Sequence, residues 1–462
     1  MNNISFADLN LAPEILRALT ESGYTIPTPI QAQAIPLVLE GCDLMAGAQT
    51  GTGKTAAFAL PMLQKLLPFA SSSPSPARHA VRALILVPTR ELAIQVEASV
   101  KAYAKHSHLR SLVVFGGVDI KTQTPQLRTG VEILVATPGR LLDHIEQKTV
   151  QLNQVKMLVL DEADRMLDMG FMPDLKRILA LLPKQRQNLM FSATFSTEIK
   201  RLSAEFLVNP KLIEVARSNA TAENVTQKVY LVDHTEKHAL LAQLLRGSDA
   251  KQALVFTKTK LTASRIARQL QREGFSADAI HGDKSQLERM QALDAFKNGK
   301  ISVLIATDVA ARGLDIDQLP VVINYEIPSA AEDYVHRIGR TGRAGASGIA
   351  ISLVAPEEEK YLVEIEKLIK CQIQRAAPLP KAEPAARPVE RAPRAEHHTE
   401  LRIRAPHTST TKRPVHDAWF NKPYEPSAST RVNEPVVHVS KPNSQIPALF
   451  MRRKITPTDG ND

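Results

Sequence analysis

Cysteine is almost missing: Cys42 and Cys371 are the only two in 462 residues. That excludes a disulfide framework, and neither has a metal-ligand spacing, so both read as reduced thiols. No uninterrupted apolar run approaches the roughly 20 residues that a membrane-spanning helix needs. Met1-Asn2-Asn3-Ile4-Ser5 has neither the basic start nor the apolar core of a secretory leader. The expectation is a cytoplasmic protein with no membrane partner. Acid is in deficit: 48 Asp and Glu face 58 Lys and Arg, a net charge of +10. A basic excess hints at a polyanionic partner without identifying one.

What is present is a rhythm of short aliphatic runs alternating with amphipathic stretches. Arg82 to Pro88, Glu132 to Ala136, Val155 to Leu160 and Asn188 to Phe191 are rich in Val, Ile and Leu. Runs of that length bounded by turn residues predict strands buried on both faces of a parallel sheet. Helical stretches such as Glu91 to Ala104 lie between them, so the fold class is α/β. The rhythm lapses at Arg217 to Glu223 and restarts with strands at Val225–Val232, Ala253–Thr257, Ala277–His281, Ile301–Thr307 and Val321–Tyr325. Helices are predicted over Leu261–Glu273, Gln286–Lys297 and Glu357–Lys370. The expected organisation is a first domain over 1–216, a linker over 217–224, a second domain over 225–375 and a tail over 376–462. The tail is proline-rich, aperiodic and net positive by about five, too poor in apolar surface to offset chain entropy, so disorder is expected. Its aromatic islands are Trp419-Phe420 with Tyr424, and Leu449-Phe450. Ser71-Ser72-Ser73-Pro74-Ser75-Pro76 reads as a flexible surface insertion.

Two motifs carry chemistry. Ala48-Gln49-Thr50-Gly51-Thr52-Gly53-Lys54-Thr55 follows a predicted strand, Asp43 to Ala46, and opens a helix, Thr55 to Leu60. Glycines there let backbone N–H groups converge on phosphate oxygens, and the helix N-terminus adds a favourable dipole. Lys54 supplies a cation for the β and γ phosphates and Thr55 a hydroxyl ligand for Mg²⁺. About a hundred residues on, Val159-Leu160-Asp161-Glu162-Ala163-Asp164 is an apolar strand ending in carboxylates. Asp161 at a strand's carboxyl end points toward a crevice. Its expected role is Mg²⁺ coordination, with Glu162 orienting and deprotonating the attacking water.

With these motifs the chain resembles the DEAD-box RNA helicases, most closely the bacterial RhlE-type branch. The resemblance spans roughly Ile4 to Arg375. It implies two tandem RecA-like, P-loop NTPase domains with parallel sheets, followed by a disordered basic C-terminal tail. It also implies ATP and Mg²⁺ as the nucleotide and metal. The segment Gly23-Tyr24-Thr25-Ile26-Pro27-Thr28-Pro29-Ile30-Gln31 matches the family's Q motif, and Phe6 lies seventeen residues before Gly23 where the family has an isolated aromatic. Gln31 can both donate to and accept from adenine, with Phe6 and Tyr24 as ring contacts. The family's loop pattern usually begins with Ala48 in place of glycine, as here.

By the same resemblance, His336-Arg337-Ile338-Gly339-Arg340-Thr341-Gly342-Arg343 brings Arg340 and Arg343 to the γ-phosphate as arginine fingers. Three residues apart, the two would share a helical face. Gly313 is implied to approach the phosphates and Asp315 the ribose. The hydroxyls of Ser192 and Thr194 are expected to bond toward Asp164, a coupling set that includes His336. RNA-contact motifs are matched by Pro88 to Ala93 with Arg90, by Gly116-Gly117, and by Thr137-Pro138-Gly139-Arg140. In the second domain they are matched by His281-Gly282-Asp283, Gln286 with Arg289, and Thr307. Helix N-termini, glycine amides and arginines suit a phosphate backbone and read no base. The expected partner is single-stranded or partly duplex RNA, with ribosome precursors or RNA-decay proteins implied by resemblance alone. A DNA helicase, a non-catalytic RNA clamp and an unrelated P-loop kinase are the alternatives.

Overall fold

A computed structural model describes residues 4–47, 51–214, 225–248, 251–311, 314, 316, 318–342 and 347–377. The expected linker over 217–224 and the tail from residue 378 lie outside the described residues. Fourteen strands form two parallel sheets of seven. The first sheet holds β1 (Leu44–Gly47), β2 (Ala83–Leu86), β3 (Ser111–Val114), β4 (Ile133–Ala136), β5 (Met157–Leu160), β6 (Gln187–Ser192) and β7 (Lys211–Glu214). The second holds β8 (Val225–Leu231), β9 (Ala253–Thr257), β10 (Ala277–Ile280), β11 (Val303–Thr307), β12 (Val321–Asn324), β13 (Gly348–Val354) and β14 (Gln374–Arg375). Their orders are β3-β4-β2-β5-β6-β1-β7 and β10-β11-β9-β12-β13-β8-β14. Adding seven to each strand of the first order gives the second, so the halves share one topology.

The central strands are apolar throughout because both faces are covered. In β5, Met157 and Val159 join one aliphatic cluster while Leu158 and Leu160 join the other. Burying each such side chain contributes about 1.5–3 kcal/mol. Helices begin where the sequence supplies caps. Thr89 accepts from the Leu92 amide at 3.3 Å to open helix Arg90–Tyr103, and Ser285 with Glu288 forms a capping box for helix Gln286–Lys297. No helix among the described residues is long and apolar enough to cross a membrane.

Strands β3, β7, β13 and β14 carry no clear signal in the sequence. β7 is an edge strand with three of its four residues exposed. β13 alternates small residues, and Gly348 at its start sits so close to the Gly342 amide that a Cβ would approach it to 2.7 Å. The Ser71–Pro76 insertion is fastened rather than loose. The Ser73 carbonyl accepts from His79 Nε2 at 2.7 Å and from Arg110 Nη2 at 2.9 Å, and His79 Nδ1 meets Glu132 Oε1 at 2.6 Å, both side chains fully buried.

Lys237, the first residue of helix Lys237–Arg246, is wholly buried. Its Nζ donates to the carbonyls of Tyr325 at 3.1 Å and Leu353 at 2.8 Å, and to Glu358 Oε2 at 2.5 Å. Removing Lys237 leaves the buried Glu358 carboxylate with the partly exposed Lys258 Nζ, 3.3 Å away, as its remaining cation. Lys237→Ala is expected to destabilise the second half by about 3 kcal/mol, the low end for a broken buried pair, with Lys237→Met/Glu358→Leu recovering part of the loss, as read from urea unfolding midpoints.

Candidate functional site

Parallel strands deliver their carboxyl ends to one edge, and in the order β5-β6-β1 those ends are neighbours. Gly47 pairs in register with Ser192, and Leu160 with Met190, so the phosphate loop, the acidic turn and the Ser192 turn emerge side by side. Gly51 and Gly53 take φ of 82° and 89°, the left-handed region that glycine enters without strain. Helix Lys54–Leu66 starts directly after them. Ala48, Gln49 and Thr50 lie outside the described residues; Thr52 and Thr55 are half-buried.

The Lys54 side chain is buried and its Nζ has no hydrogen-bond partner. Such a group favours an anion beside it. Asp161 is buried as well; burial pushes its carboxyl up to about 6, with the Lys54 ammonium pulling the other way and Glu162 adding to the rise. Its Oδ1 accepts the Glu162 amide at 3.0 Å. Glu162 holds φ of 55°, a strained value for a side chain with a Cβ, and pairs with Arg165 Nη1 at 3.3 Å. No group of three or more carboxylate, imidazole or thiol side chains among the described residues could hold a metal alone.

Gln31 is buried against this loop. Its Oε1 accepts the Thr28 amide at 2.9 Å and its Nε2 donates to the Gly53 carbonyl at 3.1 Å. Phe6 and Tyr24 meet edge to face, centroids 6.4 Å apart. Tyr24 continues to Tyr103, centroids 6.0 Å apart and hydroxyls at 3.2 Å, and burial followed by the Tyr24 hydroxyl raises Tyr103 above the ordinary phenol range. Tyr103 carries no motif and was not anticipated.

Asp164 Oδ2 accepts from the Ala193 amide at 3.0 Å, the Thr194 amide at 2.9 Å and the Thr194 hydroxyl at 3.0 Å. The Ser192 hydroxyl instead donates to the Thr194 carbonyl at 2.7 Å. That corrects the expectation that both hydroxyls reach Asp164: the tight turn brings backbone amides to the carboxylate and turns Ser192 inward. His336 of the second half faces Arg165, Asp164 and Glu162, and burial pushes it down to about 4, leaving it neutral near pH 7.

Helix Ala331–Ile338 stops at Gly339, and Thr341 bridges to Leu319. Arg340 therefore lies on a turn rather than on a helical face shared with Arg343. It is buried, with Nη1 donating to the Leu314 carbonyl at 2.6 Å. Gly313, Asp315 and Arg343 lie outside the described residues. Arg337, which the sequence did not single out, forks onto Asp308 at 2.6 and 2.7 Å and also reaches Asn324 Oδ1 at 3.0 Å. A cleft lined by Arg165 of the first half and by Asp308, His336, Arg337 and Arg340 of the second joins the two.

Among the residues matched to RNA-contact motifs, the Arg90 guanidinium occupies the space a Cβ at Gly117 would need. Burial lowers its pKa, with Arg289 adding to the effect. Gly116 and Gly282 have open space above them. Thr137 is buried at the start of helix Pro138–Glu146, and Arg140 donates to the Val118 carbonyl at 2.8 Å while its Nη1 lacks a partner. His281 Nε2 meets the Ser264 hydroxyl at 2.7 Å, and burial lowers its pKa; Thr307 is buried at the end of β11. Gln286 and Arg289 join the halves. Glu91 Oε1 accepts from Gln286 Nε2 at 3.1 Å and from Arg289 at 2.8 Å, and Arg90 Nη1 donates to Gln286 Oε1 at 3.4 Å.

Two sheets of one topology with a phosphate loop at the carboxyl edge of the first define a two-domain nucleoside triphosphatase. A DEAD/DEAH box helicase family matches residues 28–202, and a helicase conserved C-terminal domain matches 236–345. RhpA of Helicobacter pylori, a DEAD-box ATP-dependent RNA helicase, is 43% identical over 370 residues, covering 80% of this chain and 73% of its own. CshA of Listeria monocytogenes, an ATP-dependent RNA helicase, is 46% identical over 369 residues, covering 80% and 69%. Among solved structures, S. cerevisiae Dbp5 bound to RNA and ADP BeF3 has a TM-score of 0.71 at 33% identity, over 80% of this chain and 95% of that one. Mss116p bound to ssRNA and AMP-PNP has 0.72 at 29%, over 82% and 80%. The chain belongs to the DEAD-box family of ATP-dependent RNA helicases, ATPases of superfamily 2.

Two outcomes follow from the geometry. Burial holds the Asp161 carboxyl at about 6, against an ordinary 3.8. The folded chain therefore keeps a proton that the unfolded chain releases, and stability falls as pH rises through that window. The loss is on the order of 2–3 kcal/mol between about pH 4 and 6; Asp161→Asn should flatten that slope in urea unfolding. Glu91→Ala strips Gln286 and Arg289 of their shared acceptor, so RNA affinity in the presence of a non-hydrolysable ATP analogue should fall at least about tenfold, measured by fluorescence titration.

Proposed function

We propose that ATP and single-stranded RNA bind together between the two halves, that their closure locally opens a short duplex, and that hydrolysis of ATP reopens them. The observation that carries this reading is the buried Lys54 ammonium, which has no protein partner and sits near Asp161. In this reading Lys54 and the amides of residues 48–55 take the phosphates, and Thr55 and Asp161 hold Mg²⁺. The metal, when bound, would neutralise charge developing on the phosphate oxygens. Glu162 takes a proton from the attacking water. Arg340 and Arg343 stabilise the transferring phosphoryl group, a contribution worth about 10³–10⁵ in rate. Gln31, Phe6 and Tyr24 select adenine, and Gly313 and Asp315 complete the nucleotide pocket. Asp164, Ser192, Thr194 and His336 couple the nucleotide to closure.

RNA would be held by its backbone along Arg90, Gly116, Gly117, Thr137 and Arg140 in residues 1–216, and along His281, Gly282 and Thr307 in 225–375, with 217–224 as the linker. Work in the cytoplasm on ribosome precursors or on RNA in decay is the process this activity best suits. Placement in the RhlE-type branch rests on the sequence resemblance; the relatives above carry the names RhpA and CshA.

The decisive test is Glu162→Gln. Single-turnover hydrolysis should drop by about 10²-fold or more, while ATP and RNA affinities stay near those of the native chain. Near-native hydrolysis would refute the role of Glu162, and RNA that neither stimulates turnover nor is unwound would refute the helicase reading.

A further inference from the structure

We infer that the amino-terminal edge of the first sheet, opposite the phosphate loop, is a second contact surface for RNA, centred on Arg82, Lys156 and Phe69. The inference rests on RNA being the substrate and extends where the strand is held.

Because all seven strands run parallel, their starts share one edge. Arg110 immediately precedes β3, Arg82 precedes β2, Lys156 precedes β5 and Arg186 precedes β6. These strands lie within the run β3-β4-β2-β5-β6. At about 4.8 Å between neighbours, the row spans roughly 19 Å. The sheet ladder continues into it: the Lys156 amide donates to the Arg82 carbonyl at 2.7 Å, and the Gln187 amide to the Lys156 carbonyl at 2.9 Å. The one acid in the row, Glu132 before β4, is buried and turned onto His79. Among the described residues none of the four cations is paired with a carboxylate.

Arg110 and Arg186 have a local explanation. Arg110 donates to the carbonyls of Thr129 and Ser73, and Arg186 to the Pro183 carbonyl and Asn188 Oδ1. Cations at helix ends take up the carbonyls left over there. Asp43 is near Arg186, but its oxygens already accept from Asn188 and Val208.

Arg82 and Lys156 are different. Both stand 4.2 Å from the centroid of the half-buried Phe69 ring. Arg82 reaches one acceptor, Gln154 Oε1 at 3.2 Å, and its Nε is buried without a partner. Lys156 is exposed. Adjacent strands thus hold two like charges together, an arrangement that an anion lying against them relieves. A guanidinium fork, an ammonium and a ring suit a phosphodiester strand. The flanking cations make the row long enough for several successive phosphates rather than one small anion. Nothing in it presents a base-reading pair, so sequence preference is not expected.

The test uses the full chain carrying Arg82→Gln and Lys156→Gln. Affinity is titrated across salt for a short RNA that fills the first site only and for one several times longer, with ATPase measured at saturating short RNA. The expected result is a Kd for the long RNA raised about tenfold, with a salt slope shallower by about 1.4, two contacts at about 0.7 each. Short-RNA affinity and turnover stay unchanged. Lys156→Glu alone, a change at an exposed position, should weaken long-RNA binding without loss of short-RNA turnover. Unchanged long-RNA affinity in both variants, with short RNA still stimulating turnover, overturns this proposal alone. Failure of the native chain to respond to short RNA would remove the RNA reading itself.

Discussion

A buried lysine side chain without a hydrogen-bond partner is the constraint on which the rest of this structure depends. Lys54 lies in the interior with the buried Asp161 carboxyl near it. Holding both groups requires a parallel sheet, since only there do a strand, a loop and a helix N-terminus meet a neighbouring acidic strand end at one edge. The strain at Glu162 and the raised pKa of Asp161 are costs of that placement, offset by aliphatic strands covered on both faces.

The same edge brings the acidic turn up to the second half. Asp164 reads the turn after β6 through two amides and a hydroxyl, while neutral His336 sits over the acids. Helix Arg90–Tyr103 is a second connection. At one end Arg90 and Glu91 meet Gln286 and Arg289; at the other, Tyr103 holds the Tyr24 hydroxyl. A helix of 14 residues is roughly 21 Å long, so one element spans from the contact with the second half to the Tyr24 hydroxyl.

The sequence was most legible where chemistry is local. Helix Gln286–Lys297 and strand Ala253–Thr257 have the limits their periodicity predicts, and the phosphate loop and acidic turn stand on the strand ends their flanking residues require. It was least legible where partners are distant. Glu91 and Gln286 are 195 positions apart, and no window of sequence joins them. Arg340 was singled out by its motif and Arg337 was not; the break at Gly339 sends Arg337 into the Asp308 fork and Arg340 onto a turn. Edge and small-residue strands such as β7 and β13 lacked the apolar run that marks a buried strand.

The shared strand order of the two sheets gives Lys237 another meaning. It opens the helix after the first strand of the second sheet, the place that Lys54 holds in the first. Each is a buried lysine on equivalent scaffolding. In the first half the Lys54 side chain has no hydrogen-bond partner; in the second, Glu358 supplies a carboxylate from within the chain. The same scaffold position thus leaves one lysine free to bond and ties the other into the interior.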